Sequence, residues 1–434
     1  MKQSYPNKIK QSLTQIFQGN ALNQMARDCR FLERERKVEP FKLVLSMLTS
    51  LASGKVETLA DIHRSYNYLS EESVAYKPFH NQLSKERFAD FMRHAASYLL
   101  ERLIQPSLSV PLRGAFSEFE RILVHDGTSF AVKDTLASDY PGRFHAISPA
   151  AVELHVSYDI LKEKLEAVSL TKDTAGERPY LPLAEQLSGA LLLADAGYFS
   201  RDYLAGLMQA RARFIIKADG KINPIIKHCH TACKHRKNVL GMKLKSGLEY
   251  FSKKRPNDIQ VEWRTSEDKA FTCRLVVTWN PVRKRFQYLV TNLPRSRYPA
   301  TWVMEAYRLR WQIELLFKEW KSYANLKGFN TGKKCIVEGL IWGSLMAATL
   351  KRYLACWTQA LCHVEISTRK VAMCASHVLV QIVKALISPK KTGLDDAIIN
   401  ALEYLKDNAR RAHPNRDRLK GRLKIGLHPY FENA

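Results

Sequence analysis

The chain has 434 residues, with 68 lysines and arginines against 42 aspartates and glutamates, a formal net charge of +26 and a pI near 9.7. So large a basic surplus points to a polyanionic partner and away from a small-molecule substrate, without separating DNA from RNA. The eight cysteines show no disulfide-framework spacing and read as reduced intracellular thiols, and the first residues lack the apolar core of a signal peptide.

Residues 1 to about 110 read as helical. Phe41 to Leu51 carries an apolar helix pattern that Gly54 breaks, Thr58 caps a second helix, and a third runs from Phe88 to Ile104. Short helices joined by tight turns fit a helix-turn-helix-like DNA-binding module, with Lys77, His80, Asn81, Lys85 and Arg87 as candidate contacts. An ordinary exposed helix face explains the same residues equally well.

From about residue 115 the pattern changes to strands: Arg121 to His125, Val152 to Asp159, Lys164 to Leu170, Leu191 to Ala194 and Arg213 to Lys217. A helix is expected over Leu181 to Ser188, and another over Arg201 to Ala210, with Ser200 as its N-cap. The first strand should end on Asp126, with Gly127 allowing a tight turn, and the fourth on Asp195, within Ala194-Asp195-Ala196-Gly197-Tyr198-Phe199. Taken singly, either aspartate reads as an Asx turn or a helix cap.

Residues of about 220 to 290 are rich in β-type runs: Gly247 to Ser252, Asp258 to Arg264, Ala270 to Trp279 and Phe286 to Asn292. Trp263 and Trp279 lie here, each a candidate to stack on an unpaired base, with core packing as the alternative. Ligand-type residues crowd together in His228-Cys229-His230-Thr231-Ala232-Cys233-Lys234-His235. No second ligand couple accompanies them, so a basic strand or loop near nucleic acid is preferred to a zinc site.

The stretch from Tyr307 to Lys321 is the most informative. At about 100° per residue, Tyr307, Arg310, Glu314, Lys318 and Lys321 share one narrow helix face, and Leu309, Ile313, Leu316 and Trp320 lie opposite. Ordinary i,i+4 ion pairs on a solvated face are the plain alternative. Residues 330 to about 385 are helical. Leu340 to Leu350, bracketed by Glu338 and Lys351-Arg352, is too short to span a bilayer and reads as a buried helix. Ser388 to Gly393 marks a linker, followed by a tail with one helix and the basic run Arg410 to Arg416.

Tyr307, two residues, Arg310, three residues, Glu314, six residues, Lys321 resembles the Y-(2)-R-(3)-E-(6)-K signature of bacterial insertion-sequence DDE transposases. Asp195 with the Gly and aromatics after it is similar to that family's second catalytic box, and Asp126 takes the place of the first aspartate. The resemblance implies an α/β fold: an RNase H-like catalytic core over 111–387 with a β-rich insertion at about 220–290. A helical DNA-binding domain (1–110) and a basic helical C-terminal tail (388–434) would flank it. It implies Asp126, Asp195 and Glu314 as catalytic, metal-binding carboxylates, and Tyr307, Arg310, Lys318 and Lys321 as DNA-phosphate contacts.

Three carboxylates suit two Mg²⁺ ions, with Mn²⁺ as substitute: a hard ion keeps several waters, and a pair about 3.5–4 Å apart activates water and neutralises charge at phosphorus. The implied partners are double-stranded DNA, as element ends and target, and a second copy of the chain on those ends. No membrane partner is expected, and the expected location is the bacterial cytoplasm, at the nucleoid. An RNase H-like nuclease or resolvase, and a non-catalytic DNA-binding repressor, are the competing functions. The intact triad argues against the second.

Overall fold

A computed structural model describes residues 4–34, 37–103, 106, 114–230, 238–327, 329–388 and 393–412. Ile104, the run 231–237 that holds Cys233 and His235, most of the expected linker and the basic run from His413 onward lie outside the described residues.

Six helices come first: α1 (Ser4–Ile16), α2 (Gly19–Asp28), α3 (Pro40–Ala52), α4 (Leu59–Leu69), α5 (Tyr76–Leu83) and α6 (Arg87–Arg102). Thr58 and Asp61 form a capping box at the start of α4. Strands β1 (Arg121–Ala131), β2 (Ala151–Asp159), β3 (Lys164–Lys172) and β4 (Ala190–Ala194) follow, then α7 (Arg201–Gln209), capped by Ser200, and β5 (Arg213–Ala218). Next come β6 (Ile225–Cys229), the short α8 (Leu244–Gly247), β7 (Asn257–Arg264), β8 (Ala270–Asn280) and β9 (Arg285–Thr291). The chain closes with α9 (Ala300–Arg308), α10 (Trp311–Tyr323), α11 (Lys334–Cys362), α12 (Thr368–Cys374), α13 (Ser376–Ile387) and α14 (Leu394–Asn408).

The described strands form one nine-stranded sheet in the order β3-β2-β1-β4-β5-β9-β8-β7-β6. β1, β4 and β5 run parallel, β2 pairs antiparallel with β1, and β3 pairs antiparallel with β2 at the sheet edge. This mixed α/β arrangement is consistent with an RNase H-like core. The β-rich insertion extends the same sheet, because β9 pairs antiparallel with β5 from Ile215↔Thr291 to Ala218↔Tyr288.

The central strands are apolar on both faces because both are covered. Val124, Leu191, Leu193 and Ile215 enter a first core with α10 and α11, while Leu123, Leu192, Phe214 and Ile216 enter a second with α7 and the insertion strands. Period-two alternation of side chains produces this division.

The first core runs unbroken from Ile9 to Ala409, so the change of element type near residue 110 is not a packing boundary. Helix α11 is the common axis. A Cβ on Gly339 would come within 2.2 Å of the Phe88 ring, and one on Gly343 within 2.7 Å of Leu51, so these two glycines let α6 and α3 approach closely. The tail helix α14 joins the same body through Leu394, Ile398, Ala401, Leu402 and Leu405, all fully buried.

Two expected elements differ. Leu181 to Ser188 is not an α-helix but a 3₁₀ turn over Ala184–Leu187 after another over Arg178–Tyr180. Pro179 and Pro182 explain it, since each lacks a donor and restricts the residue before it. The expected strand at Gly247 to Ser252 is the end of α8 and a 3₁₀ turn. Among the described residues no single helix is long and apolar enough to cross a bilayer; α12 and α13 pass that test only when joined across a 65° break.

Candidate active site

Asp126 lies in the middle of β1, not at its end. β2 continues to pair with β1 beyond it, through Gly127↔His155 to Ala131↔Ala151, so Gly127 is a strand residue rather than a turn. On the other edge the pairing with β4 stops at His125↔Ala194. Asp126 and Asp195 are therefore each one residue past the last paired rung of a parallel strand pair. On β5, Ile216 pairs with Ala194, which puts Lys217 in the same row. Asp126, Asp195 and Lys217 share the parity of Val124, Leu193 and Ile215 and face the first core, where α10 packs.

Helix α10 is held there by Ile313, Leu316 and Trp320, all buried, with Leu309 buried just before it. The expected single helix from Tyr307 to Lys321 is broken: α9 ends at Arg308 and α10 starts at Trp311. Leu309, Arg310, Gln312 and Ile313 donate their amides three residues back instead of four, a 3₁₀ step that over-rotates the chain. Tyr307, Arg310 and Glu314 still reach the strand row.

The Tyr307 hydroxyl donates to Asp195 Oδ1 at 3.2 Å. Arg310 donates to Asp126 Oδ2 at 2.5 Å and, with its other terminal nitrogen, to Glu314 Oε1. Lys217 Nζ donates to Asp195 Oδ1 at 3.1 Å. Three carboxylates thus converge on one guanidinium, one ammonium and one phenol. Burial raises the Asp126 carboxyl to about 6; Arg310 and the Gly127 amide oppose the rise, and Asp195 and Glu314 add to it. Burial also raises Asp195, but Arg310, the Ala196 amide and Lys217 outweigh it and leave this carboxyl below its ordinary range. Burial works against the Arg310 charge, and Tyr307, Asp126, Asp195 and Glu314 more than restore it.

The donor set fits a hard divalent cation, which takes carboxylate oxygens and keeps waters. The rise at Asp126 comes first from burial, with repulsion from Asp195 and Glu314 adding to it, and a bound cation would oppose both. With the guanidinium lodged between Asp126 and Glu314, no three His, Cys, Asp or Glu side chains among the described residues form a ready cage.

The remaining expected contacts divide. Lys318 is exposed on α10. Lys321 is turned inward and donates to the Ser129 carbonyl of β1 at 2.6 Å, which ties α10 to the strand rather than leaving the ammonium free for a phosphate. Trp263 is buried against Phe199 and offers no face to a base, so its packing role replaces the expected stacking role. Trp279 is half-buried, with Lys253 over its ring at 4.5 Å. In the N-terminal helices Lys77 and Asn81 are exposed and His80 is half-buried. Lys85 reaches the Phe31 carbonyl at 3.4 Å, and Arg87 pairs with Asp90 at 3.2 Å. Lys217 was missed as a site residue, although it closes the fifth apolar run as Asp195 closes the fourth.

Residues 117–350 match the family described as Transposase DDE domain. The chain belongs to the DDE transposases. It is 24% identical over 387 residues to the transposase for insertion sequence element IS231E of Bacillus thuringiensis subsp. finitimus, covering 80% of this chain and 79% of that one. It is 20% identical over 394 residues to the transposase for IS1151 of Clostridium perfringens, covering 79% and 80%. A third relative, the transposase for IS231D, is 22% identical over 437 residues, covering 90% and 89%. This transposase is therefore a DNA-cleaving and strand-transferring enzyme of insertion sequences, in a class that uses divalent metal ions.

Proposed function

We propose that the transposase binds the terminal inverted repeats of its element, hydrolyses phosphodiester bonds at the ends and joins the resulting 3′-hydroxyls to target DNA, with Asp126, Asp195 and Glu314 as its catalytic carboxylates. The observation that carries this reading is the convergence of two aspartates on adjacent strands and one helical glutamate, with Arg310 bridging Asp126 and Glu314 while Tyr307 and Lys217 hold Asp195.

The three carboxylates would hold two Mg²⁺ ions, or Mn²⁺ in their place, which supply an activated water and charge neutralisation at phosphorus. The protein's own part is placement. β1 and β4 fix the aspartates side by side, and the packed face of α10 fixes Glu314 across from them. Tyr307 orients Asp195 through its hydroxyl. Arg310 can exchange its carboxylate contacts for a phosphate beside the scissile bond, because its planar fork suits either partner. Lys318, exposed on α10, meets a further phosphate.

Lys77, His80 and Asn81 on α5 are proposed to read the element end, with Lys85 and Arg87 beside them, and Trp279 to meet an unpaired base. Assembly as a dimer on paired ends, in the cytoplasm at the nucleoid, completes the proposal. The test is incubation with Mg²⁺ and a labelled end of the element plus a target plasmid. Nicking and joining by the parent protein, both lost in Asp126→Asn and Asp195→Asn with end binding kept, is the expected result. Cleavage at the parent rate by either variant would remove that aspartate from the mechanism.

A further inference from the structure

The loop between β1 and β2 carries Arg143, whose contacts lie on the second-core face of the sheet, behind the row of Asp126 and Asp195. Its backbone amide donates to Asp173 Oδ2 at 2.7 Å, and its Nε to the Asp173 carbonyl at 2.6 Å. One terminal nitrogen donates to Glu153 Oε2 at 2.5 Å, and the other lies 3.5 Å from Glu177 Oε1. Glu153 and Asp173 are almost wholly buried, with side chains 4% and 5% exposed. Burial, with Glu177 and Asp173 nearby, raises the Glu153 carboxyl to about 7, and the Arg143 guanidinium opposes that rise.

The free oxygens of two of these acids end on glycines. A Cβ on Gly127 would stand 2.7 Å from Glu153 Oε1 and 3.1 Å from the Tyr198 hydroxyl. A Cβ on Gly197 would stand 1.9 Å from Glu177 Oε2. Gly127 directly follows Asp126, and Gly197 is two residues after Asp195. Both glycines therefore serve close approach: each gives up its side chain so that a carboxylate held by Arg143 can seat on the main chain next to a catalytic aspartate.

We infer that Arg143 is a positioning residue that braces both aspartate-bearing segments at once, Asp126-Gly127 through Glu153 and Asp195-Ala196-Gly197 through Glu177. It acts through Glu153 and Glu177, not on the reacting atoms. It keeps the two segments at a fixed mutual offset from behind, while Arg310 meets the carboxylates from the front. The inference rests on the catalytic assignment of Asp126 and Asp195, but the bracing can be read without any turnover.

The test uses Arg143→Met, Arg143→Lys and Glu177→Gln in the full chain. Arg143→Lys keeps a charge and the amide bond to Asp173 but cannot span Glu153 and Glu177 together. Glu177→Gln is nearly isosteric and only weakens one arm. Hydrogen exchange followed by mass spectrometry reads peptides over residues 124–129 and 194–199, with α14 as the control for global stability. Exchange in both segments should rise about ten-fold in the Arg143 variants, and only in 194–199 for Glu177→Gln, with α14 unchanged. On element-end DNA, kcat should fall by about a hundred-fold in Arg143→Lys while KM stays within about two-fold, since displacement of a catalytic group by about 1 Å has that effect. Parent-like exchange in both segments would overturn the inference. So would equal acceleration in α14 for the Lys and Gln variants, which would make the cluster a general stabiliser. If the parent protein cuts no DNA, the catalytic assignment fails, and the exchange data still decide whether Arg143 braces the two segments.

Discussion

Asp126 and Asp195 stand next to each other one residue beyond the His125↔Ala194 rung, where the parallel pairing of β1 and β4 stops. That end of pairing leaves room on one face of the sheet for two carboxylates, and α10 brings the third. The burial that results pushes Asp126 up to about 6, and Arg310 checks the rise.

Glu314→Gln keeps the shape of the side chain and removes its charge. Cleavage of element ends should fall by about a hundred-fold or more, with end-DNA affinity within about two-fold of the parent, in parallel nicking and gel-shift assays. An equal loss of binding would return Glu314 to a helical ion pair with Arg310 and nothing more.

Lysines 318 and 321 should separate in a salt titration. Lys318→Ala removes an exposed cation and should flatten the slope of log K against log salt by about 0.9, the value of one phosphate. Lys321→Ala should leave that slope unchanged and lower the melting temperature, because this ammonium already serves the Ser129 carbonyl. The opposite pattern would place Lys321 on DNA.

Lys351 sets a pH dependence of stability. It is 3% exposed, its Nζ donates to the carbonyls of Tyr323 and Ala372 near the C-terminal ends of α10 and α12, and burial lowers it to about 8. Between pH 8 and about 10.4 the unfolded chain holds this proton more tightly than the folded one, so stability rises with pH across that window and is level below it. The full difference is on the order of 3 kcal/mol. Urea unfolding of the parent and Lys351→Met should diverge in slope against pH only within this window. Parallel curves would show that burial does not depress Lys351 and that its ammonium stays charged in the core as readily as in the unfolded chain.

Gly339→Val should cost about 1–3 kcal/mol or more, since its Cβ would overlap the Phe88 ring and push α11 from α6. Thermal unfolding measures it, and Gly206→Ala is the control, because a Cβ there meets nothing within 4 Å. Equal melting temperatures for the two variants would mean that the helices do not meet at Gly339.

Much of this was legible in the chain. The apolar runs ending at Ala194 and Lys217, and the Tyr307–Arg310–Glu314 spacing, rest on local periodicity, and local periodicity is what the strands and α10 obey. The end of β1 was misplaced because β2, about 30 residues away, supplies pairing that no local signal announces. The break at Leu309 was equally hidden, since neither Gly nor Pro marks it. The inward turn of Lys321 and the seat of Trp263 depend on Ser129 and Phe199, which come from distant segments. The Arg143 cluster shows the same limit: no local signal at Gly127 or Gly197 announces the carboxylates that close on them, and only packing reveals them.

Asp126, Asp195 and Glu314 are proposed to hold divalent metal for cleavage. The most direct measurement is an anomalous-scattering map of crystals of the transposase on its own end DNA with Mn²⁺. Manganese peaks are expected at about 2.1 Å from oxygens of all three carboxylates, with the Arg310 guanidinium moved onto a phosphate. Arg310 still bridging Asp126 and Glu314, with manganese elsewhere or absent beside a bound scissile phosphate, would contradict that proposal.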